Sequence, residues 1–308
     1  MAAKEFDIVL LTDHRYVAPK KLTPYISNIL KEDAILTNSL VKLGMRVARK
    51  SWDDPNFDWS KTKAVVFRTS WDYFDRLVEF NTWFHEIAQK TRMINSKSLV
   101  QWNMDKHYFL DFMQKGIRLP KTLFIEKGEA LSLNEIVQKA RNTLQFNQTD
   151  LILKPCISGG ARDTYKIEST KIDDYESIFA DVIKIKAMML QEFQANVLTQ
   201  GEISLMVFDG KFTHAVLKLA KPGDFRVQDD HGGSVHEYRA EQEEIDFAEA
   251  VVRACLEMPI YARVDIFKDN TNQWSLVELE IFEPELWFRL YPKASKVLAT
   301  ALKLKLES

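Results

Sequence analysis

The chain has 308 residues, 46% of them hydrophobic, and a formal net charge of -2 at pH 7. That is enough apolar material for a sizeable core and for two or three domains, while the dispersed charge, with no Lys/Arg block, argues against a nucleic-acid or anionic-membrane surface. No run approaches the roughly 18 apolar residues a membrane span needs, the short apolar stretch of "MAAKEFDIVLLTDH" is no signal peptide, and the two cysteines, Cys156 and Cys255, offer no disulfide framework; a soluble, cytoplasmic protein is expected.

In chain order, "FDIVLL" (Phe6 to Leu11) reads as a buried parallel strand. A helix over Ile26 to Leu43 follows, stopped by Gly44. "MRVAR" and "AVVFR" read as strands, and Leu77, Phe80, Phe84 and Ile87 give Arg76 to Lys90 a helical face. This alternation predicts a small α/β domain over residues 1–95. Next come a helix bearing Lys106, "WNMDKHYFLDFMQKGI", and a strand, "LPKTLFI". A helix opened by the Ser132/Glu135 capping box follows. Strands "DLILKP" and "TYKIE" flank "CISGGARD", and another helix, "DDYESIFADVIKIK", ends a second segment over 96–190. In the third segment, 191–308, Asp209-Gly210 marks a hairpin in "EISLMVFDGKFTHAVLKL". A helix, a strand pair "YARVDIF" and "WSLVELEIF", and a last helix complete it. The class is α/β, passing to α+β in the C-terminal part.

The strand pair carries a chemical signal. Residues two apart on a strand share a face, about 6.6 Å apart. Arg263 and Asp265 therefore share one face, as do Glu278 and Glu280, with Val277, Leu279 and Ile281 on the other. Pairing across a four-residue loop, Asn270 to Gln273, sets Asp265 opposite Glu278 and Arg263 opposite Glu280. Opposed like charges are destabilising, and a hard divalent cation such as Mg²⁺ would resolve the surplus. The plain alternative is a solvent-facing strand pair in which Arg263 balances one acid. In "LILKPCISGGARDTYKI", Lys154 ends a strand and Gly159-Gly160 lies in a turn. Glycines let backbone N–H groups approach an anion, and lysine adds a point charge suited to phosphate. The plain alternative is an ordinary hairpin turn. Neither a Walker A run nor a Gly-x-Gly-x-x-Gly is present.

The order Lys106, Lys154, glycine loop, "MLQEF", "GEIS", "ARVD", "VELE" resembles the ATP-grasp superfamily from about Asn95 to the C-terminus, after a preceding small α/β domain. "VVFRTSWDY", "ISGGARDT", "HAVLKLAKPGDFRVQDDHGG" and "YARVD" are most similar to glutathione-synthetase-like proteins, including the D-cycloserine-forming cyclo-ligase group. The resemblance implies that Lys106 and Lys154 contact ATP phosphates, and that the loop from Ser158 through Gly159 and Gly160 to Asp163 closes over them. It implies a hinge at Gln191, Glu192 and Phe193 around adenine, and Glu202 on the ribose. Asp265, Glu278 and Glu280 would hold Mg²⁺, one ion or two with Mn²⁺ an allowed substitute, and Arg263 would lie beside them. Glu280 departs from the frequent Glu-x-Asn ending and adds negative charge.

Such ligases phosphorylate a carboxylate and let an amine or thiol attack the acyl phosphate. A lid must exclude water, and cations must offset charge on the transferring group. Arg226 is the candidate to hold the acyl phosphate or substrate carboxylate in its planar fork, helped by Lys218. "RTSWDYF" follows a strand end, where open α/β sheets bind ligands. Arg68, Ser70 and Asp72 are therefore candidates for an amino-acid-like or peptide substrate. The alternative is a helix cap, with Trp71 packed between domains. Cys156 reads as a buried structural residue, His214 as structural, His231 and His236 as poorly spaced for a metal, and Trp52, Trp59, Trp71 and Trp287 as packing. Three readings remain open: a two-substrate ligase, an intramolecular cyclo-ligase, and a nucleotide-binding sensor without turnover. A homodimer or homotetramer fits the resemblance, although no stretch marks an interface.

Overall fold

The computed structural model describes residues 4–147, 150–227 and 232–308. Three sheets organise the chain. Strands β1 (Phe6–Thr12), β2 (Val47–Ser51), β3 (Thr62–Thr69) and β4 (Arg92–Ile94) form a parallel sheet of order β2-β1-β3-β4. Strands β5 (Thr122–Ile125), β6 (Leu151–Pro155), β7 (Tyr165–Ile167) and β8 (Met188–Glu192) form an antiparallel sheet of order β5-β8-β6-β7. Strands β9 (Glu202–Phe208), β10 (Lys211–Leu219), β11 (Ser234–Tyr238), β12 (Tyr261–Lys268) and β13 (Trp274–Glu280) form the third, also antiparallel, of order β11-β10-β9-β12-β13. Mixed α/β architecture is thus observed, parallel first and antiparallel afterwards.

The helices are α1 (Pro24–Lys42), α2 (Leu77–Ile87), α3 (Lys97–Asn103), α4 (Tyr108–Gln114), α5 (Leu133–Leu144), α6 (Glu176–Val182), α7 (Val197–Gln200), α8 (Gln242–Arg253) and α9 (Ala294–Glu307). Local chemistry sets several ends. Thr23 caps α1, Pro24 occupies its first turn, and Gly44 takes φ +81° just beyond it. The Ser132/Glu135 capping box forms as expected. Asp209 and Gly210 take φ 48° and 75° in the β9–β10 hairpin, the left-handed pair such a turn requires. One expected helix is two. Residues 104–107 form a turn between α3 and α4, where the Asp105 carboxylate accepts the His107 backbone N–H at 3.0 Å. Lys106 therefore sits in that turn, not on a helix.

The third sheet is the organiser. Ile203, Leu205, Val207, Ala215, Ala262, Val264 and Ile266 put one face into a core with α4 and α8. The other face is divided. At one end Met206, Phe208, Val216 and Tyr261 join Ile8 and Leu10 of the first sheet, α1 and α9 in a continuous core. At the other end that face turns polar, and the site lies there.

Asn95 fastens the first sheet to the third. Its side-chain N–H groups donate to Tyr261 O at 2.9 Å and Ile281 O at 2.8 Å, and its carbonyl accepts Ile260 N–H at 2.6 Å. Asn95 is 1% exposed, so these groups have no water to fall back on. Asn95→Ala leaves three buried backbone groups unpaired and is expected to lower unfolding free energy by about 3 kcal/mol. Equilibrium denaturation measures this; a loss under about 1 kcal/mol would show that the clamp contributes little.

Candidate active site

A cavity of about 530 Å³ opens between the second and third sheets, walled on one side by loops of the first. Its lining includes Lys106, Lys154, Ser158, Gly159, Gly160, Gln191, Glu192, Phe193, Glu202, Lys218, Arg226, Arg263, Asp265, Glu278 and Glu280. The structure thus brings together the residues read from sequence as nucleotide, metal and catalytic candidates.

The acidic strand pair has the expected register. Arg263 pairs with Glu280 and Asp265 with Glu278. The route to it differs. The loop between β12 and β13 has five residues, 269–273, and a bulge follows between Asp265 and Ile266 on the β12 side. Ile266 pairs with Leu276, so Val277 is the extra residue. The bulge turns Val277 into the cavity beside Glu278, while Leu276, Leu279 and Ile281 go to the core. The expectation that Val277 shares the core face is corrected on this ground.

Charges on this face are paired into a network. Arg263 donates to both Asp265 oxygens, Nε to Oδ1 at 2.9 Å and Nη2 to Oδ2 at 2.8 Å, and also contacts Glu280. Lys218 Nζ reaches Asp265 Oδ2 at 3.1 Å and also contacts Glu202. Ser204 Oγ donates to Asp265 Oδ1 at 2.6 Å. Burial opposes ionisation of Asp265, but Arg263 and Lys218 outweigh it and hold the carboxyl well below its usual range. Burial raises the Glu280 carboxyl, against Arg263 and with Glu278 and Asp265 adding to the rise. Burial also raises Glu283, with Glu280 and Glu278 next. The excess negative charge lies at the end of β13 and just past it.

Cations face it from the second sheet. Lys106 Nζ lies 3.0 Å from Glu278 Oε1 and donates to Ser158 O at 2.8 Å. Burial works against this ammonium, yet Glu278 raises it above its ordinary value. Lys154 has no such close partner among the described residues, and burial pulls it down to about 8. The glycine loop closes on itself, with Ser158 Oγ donating to Arg162 O at 2.9 Å. It also rests on the first sheet's loop, where a Cβ on Gly159 would come within 3.1 Å of the Phe74 ring. Arg162 pairs with Asp75 and lies 5.7 Å over Phe74. At the hinge, Gln191 Nε2 donates to Thr122 Oγ1 at 2.8 Å, Glu192 accepts Asn147 N–H, and Lys166 sits 4.2 Å over Phe193. Arg226 forms a two-pronged pair with Asp224, Nε at 3.1 Å and Nη2 at 2.9 Å.

The substrate candidates fall elsewhere. Arg68 is buried, donating to Pro284 O at 2.9 Å with Asp33 at 3.6 Å. Asp72 accepts Trp52 Nε1 at 2.7 Å and Arg76 Nη1 at 2.8 Å. Ser70 is buried, and its hydroxyl has no partner among the described residues. None of the three lines the cavity; Trp71, Phe74 and Asp75 do. Arg15, Tyr16, Tyr25, Glu283, Glu285 and Trp287 complete this wall and were not singled out from sequence as ligands. The "FEPELW" run was the available signal for the last three. His214 is structural: its Nε2 lies 2.8 Å from Leu286 O, and burial lowers it to about 4. His236 lies in β11 against Ser234, and His231 falls outside the described residues.

With that geometry in hand, the comparisons are decisive. Residues 104–281 match the RimK-like ATP-grasp domain. The chain belongs to the RimK-like ATP-grasp family. Residues 8–95 match the N-terminal domain of D-cycloserine synthetase DcsG. The cycloserine biosynthesis protein DcsG of Streptomyces lavendulae is 26% identical over 251 residues, 76% of this chain and 80% of that protein. Among solved structures, D-cycloserine synthetase DcsG aligns with a TM-score of 0.85 at 23% identity, over 97% of this chain and 99% of that one. D-alanine–D-alanine ligase from Bacillus anthracis gives 0.65 at 16% identity, over 98% and 97%. The ATP-grasp ligase PsnB, solved with a minimal precursor, Mg and ADP, gives 0.61 at 16%, over 98% of each. These structural likenesses concern the fold.

An ATP-grasp chain of this family is an ATP-dependent ligase working with Mg²⁺. The donor set here suits that ion, being oxygen-only and facing the cavity. The acids at present lean on Lys106, Arg263 and Lys218. Among the described residues, no helix is long and apolar enough to cross a membrane.

The Arg162–Asp75 pair joins two exposed side chains and is worth at most about 1 kcal/mol. Arg162→Met should therefore speed amide exchange across residues 158–163 by up to about 5-fold without nucleotide. Unchanged exchange would show that Gly159 packing on Phe74 alone holds the loop.

Proposed function

We propose that this ligase activates the carboxylate of a small amino-acid-like substrate as an acyl phosphate and directs an amine onto it. The observation that carries this is one cavity holding both a cationic phosphate end and an acidic, aromatic acceptor end. At the first end, Lys106 and Lys154 neutralise ATP phosphates beneath the glycine loop. Gln191, Glu192 and Phe193 flank the adenine, and Glu202, tied to Lys218, lies toward the ribose. Asp265, Glu278 and Glu280 would hold Mg²⁺, whose charge when bound offsets that of the transferring phosphoryl group. Arg263 keeps Asp265 ionised and orients both Asp265 and Glu280 for it, and a bound cation would draw the proton off Glu280. Arg226, oriented by its two-pronged pair with Asp224, brings positive charge to the acyl phosphate, and the loop keeps water from the activated carboxyl.

At the other end, Tyr16 and Trp71 meet edge to face at 6.0 Å, and Tyr25 lies 6.3 Å from Trp71. With Asp75, Glu283 and Glu285 nearby on the same wall, this end suits an ammonium-bearing acceptor. A cavity of about 530 Å³ shared with a nucleotide favours a small molecule over a peptide. A second reading has a specific support: the match of residues 8–95 to the D-cycloserine synthetase N-terminal domain favours an amine within the same substrate, so that attack closes a ring.

The test is ADP release with ATP and Mg²⁺ across amino acids and their O-substituted derivatives, singly and in pairs, with product masses measured. Turnover only with pairs supports joining; turnover with one compound, and product one water lighter, supports ring closure. Nucleotide binding with no stimulated ADP formation would overturn both and leave a sensor. In an active pair or compound, Glu278→Gln is expected to lower kcat by at least about 100-fold.

Lys154 gives an independent check. Its folded value, about 8, lies below the ordinary 10.5, so between these values the folded chain binds fewer protons than the unfolded one, and stability rises with pH. A triphosphate placed beside it favours the ammonium. Nucleotide binding near pH 8.5 should then take up about one proton, seen as a buffer-dependent binding enthalpy. Lys154→Arg should abolish the uptake. Uptake unchanged in that variant would place the phosphates away from Lys154.

A further inference from the structure

Behind Lys106, on the side away from the acidic strands, lies a cluster of different chemistry. One ligand atom from each of Asp105, His107 and Cys156 lies within 4.8 Å of the other two, and among the described residues no other set of three such donors is so gathered. His107 Nδ1 is 2.6 Å from Asp105 Oδ1, while Nε2 is 3.2 Å from Glu126 Oε1. Phe124 stacks on the ring at 4.6 Å and fixes its plane. Cys156 is 1% exposed, and among the described residues its thiol has no hydrogen-bond partner, although its backbone groups are paired with Lys106 and Ala187. A buried thiol thus lies at the edge of the apolar core within 4.8 Å of an imidazole nitrogen and a carboxylate oxygen.

We propose that Asp105, His107 and Cys156 form a binding site for a borderline-soft divalent transition ion, Zn²⁺ foremost, with a fourth position open to solvent. Sulfur, imidazole and carboxylate together select such an ion over Mg²⁺, which takes oxygen. Ligand atoms in a tetrahedral zinc site sit roughly 3.3–3.8 Å apart, so the Nδ1–Oδ1 pair has to open from 2.6 Å by about 1 Å and the sulfur to close by no more than about 1.5 Å. Glu126 on Nε2 is the outer carboxylate that orients a ligating imidazole. The Lys106 ammonium, which would oppose a cation, is directed the other way, to Glu278 and Ser158. Burial pushes the Cys156 thiol up to about 12, so the bare group is no nucleophile near neutrality. On binding, the S–H bond breaks, its proton leaves to solvent, and the sulfur–metal bond forms; no electron is exchanged. The occupied site would staple the turn carrying Lys106 to the end of β6, which carries Lys154.

Cobalt reports this directly. The full chain, stripped with a chelator and held in excess Mg²⁺ to fill oxygen-only sites, is titrated with Co²⁺. Thiolate-to-cobalt charge-transfer absorption saturating at about one equivalent is expected. It should persist in Cys255→Ser, whose thiol donates instead to Val251 O at 3.6 Å. It should vanish in Cys156→Ser, and Glu126→Gln should weaken affinity by about 10- to 100-fold. If Cys156→Ser does not fold, His107→Gln serves, with at least a 10-fold loss of affinity expected. No charge-transfer band in the parent chain, a band surviving Cys156→Ser, or unchanged affinity in His107→Gln would overturn the proposal.

Discussion

Everything at the active site depends on the Arg263 guanidinium lying between Asp265 and Glu280. Removing three charged groups from water costs several kcal/mol per ion, and their attraction offsets this only when geometry is good. Here it is: Arg263 faces both Asp265 oxygens, and Ser204 and Lys218 satisfy what remains. Such a network does not primarily stabilise the fold. It holds the carboxyl groups in the positions from which they would take the proposed Mg²⁺. The departure from Glu-x-Asn gains a physical account as well, since the Glu280 carboxyl, raised by burial and its acidic neighbours, contacts Arg263 on the paired strand.

The first domain is tied into this arrangement through the segment after β13. Glu32 of α1 accepts the backbone N–H groups of Phe288 at 2.9 Å and Arg289 at 2.8 Å. These follow Trp287, whose φ of 48° is uncommon for a bulky residue. The strain places the indole 5.2 Å from the Arg263 guanidinium and 5.8 Å from Lys218 Nζ. A carboxylate on an N-terminal helix therefore holds the turn that covers the charged network with an aromatic face. Arg68, read from sequence as a ligand, serves the same segment by donating to Pro284 O.

How much was legible in sequence divides along physical lines. Period-two alternation showed that Arg263, Asp265, Glu278 and Glu280 share a face, because apolar neighbours fix which face is buried. Turn residues located the Asp209-Gly210 hairpin, because few residues tolerate its backbone. The bulge at Val277 had no such signature. Its compensation with a five-residue loop preserves at the acids the register that a regular four-residue loop would set. The Asp269 carboxylate organises that loop by accepting Thr271 N–H at 2.8 Å and Gln273 N–H at 3.0 Å. The break between α3 and α4 was hidden because the apolar pattern runs on through it. Side-chain direction beyond a strand end was illegible too. Asp72, bonded to Trp52 and Arg76, rotates the turn so that Trp71, Phe74 and Asp75 meet the cavity instead.

That rotation explains how one scaffold can keep its phosphate chemistry while changing its acceptor. The cations and acids proposed to meet ATP sit on strands of the second and third sheets or on short turns anchored to them, where ladders hold them rigidly. The acceptor wall comes from Arg15, Tyr16, Tyr25 and residues 71–75, on connections of the first sheet, and from residues 283–287 beyond the last strand. Such segments answer to capping and side-chain bonds rather than to a ladder, so substitutions there redirect side chains without moving the acids. Glu32, Asp72 and Asp13 are buried carboxyl groups that set such directions, for residues 287–289, for the turn at 71–75 and for Arg15 respectively. The direction of the side chains on this wall, and with it the acceptor proposed for it, thus follows from groups that do not themselves line the cavity.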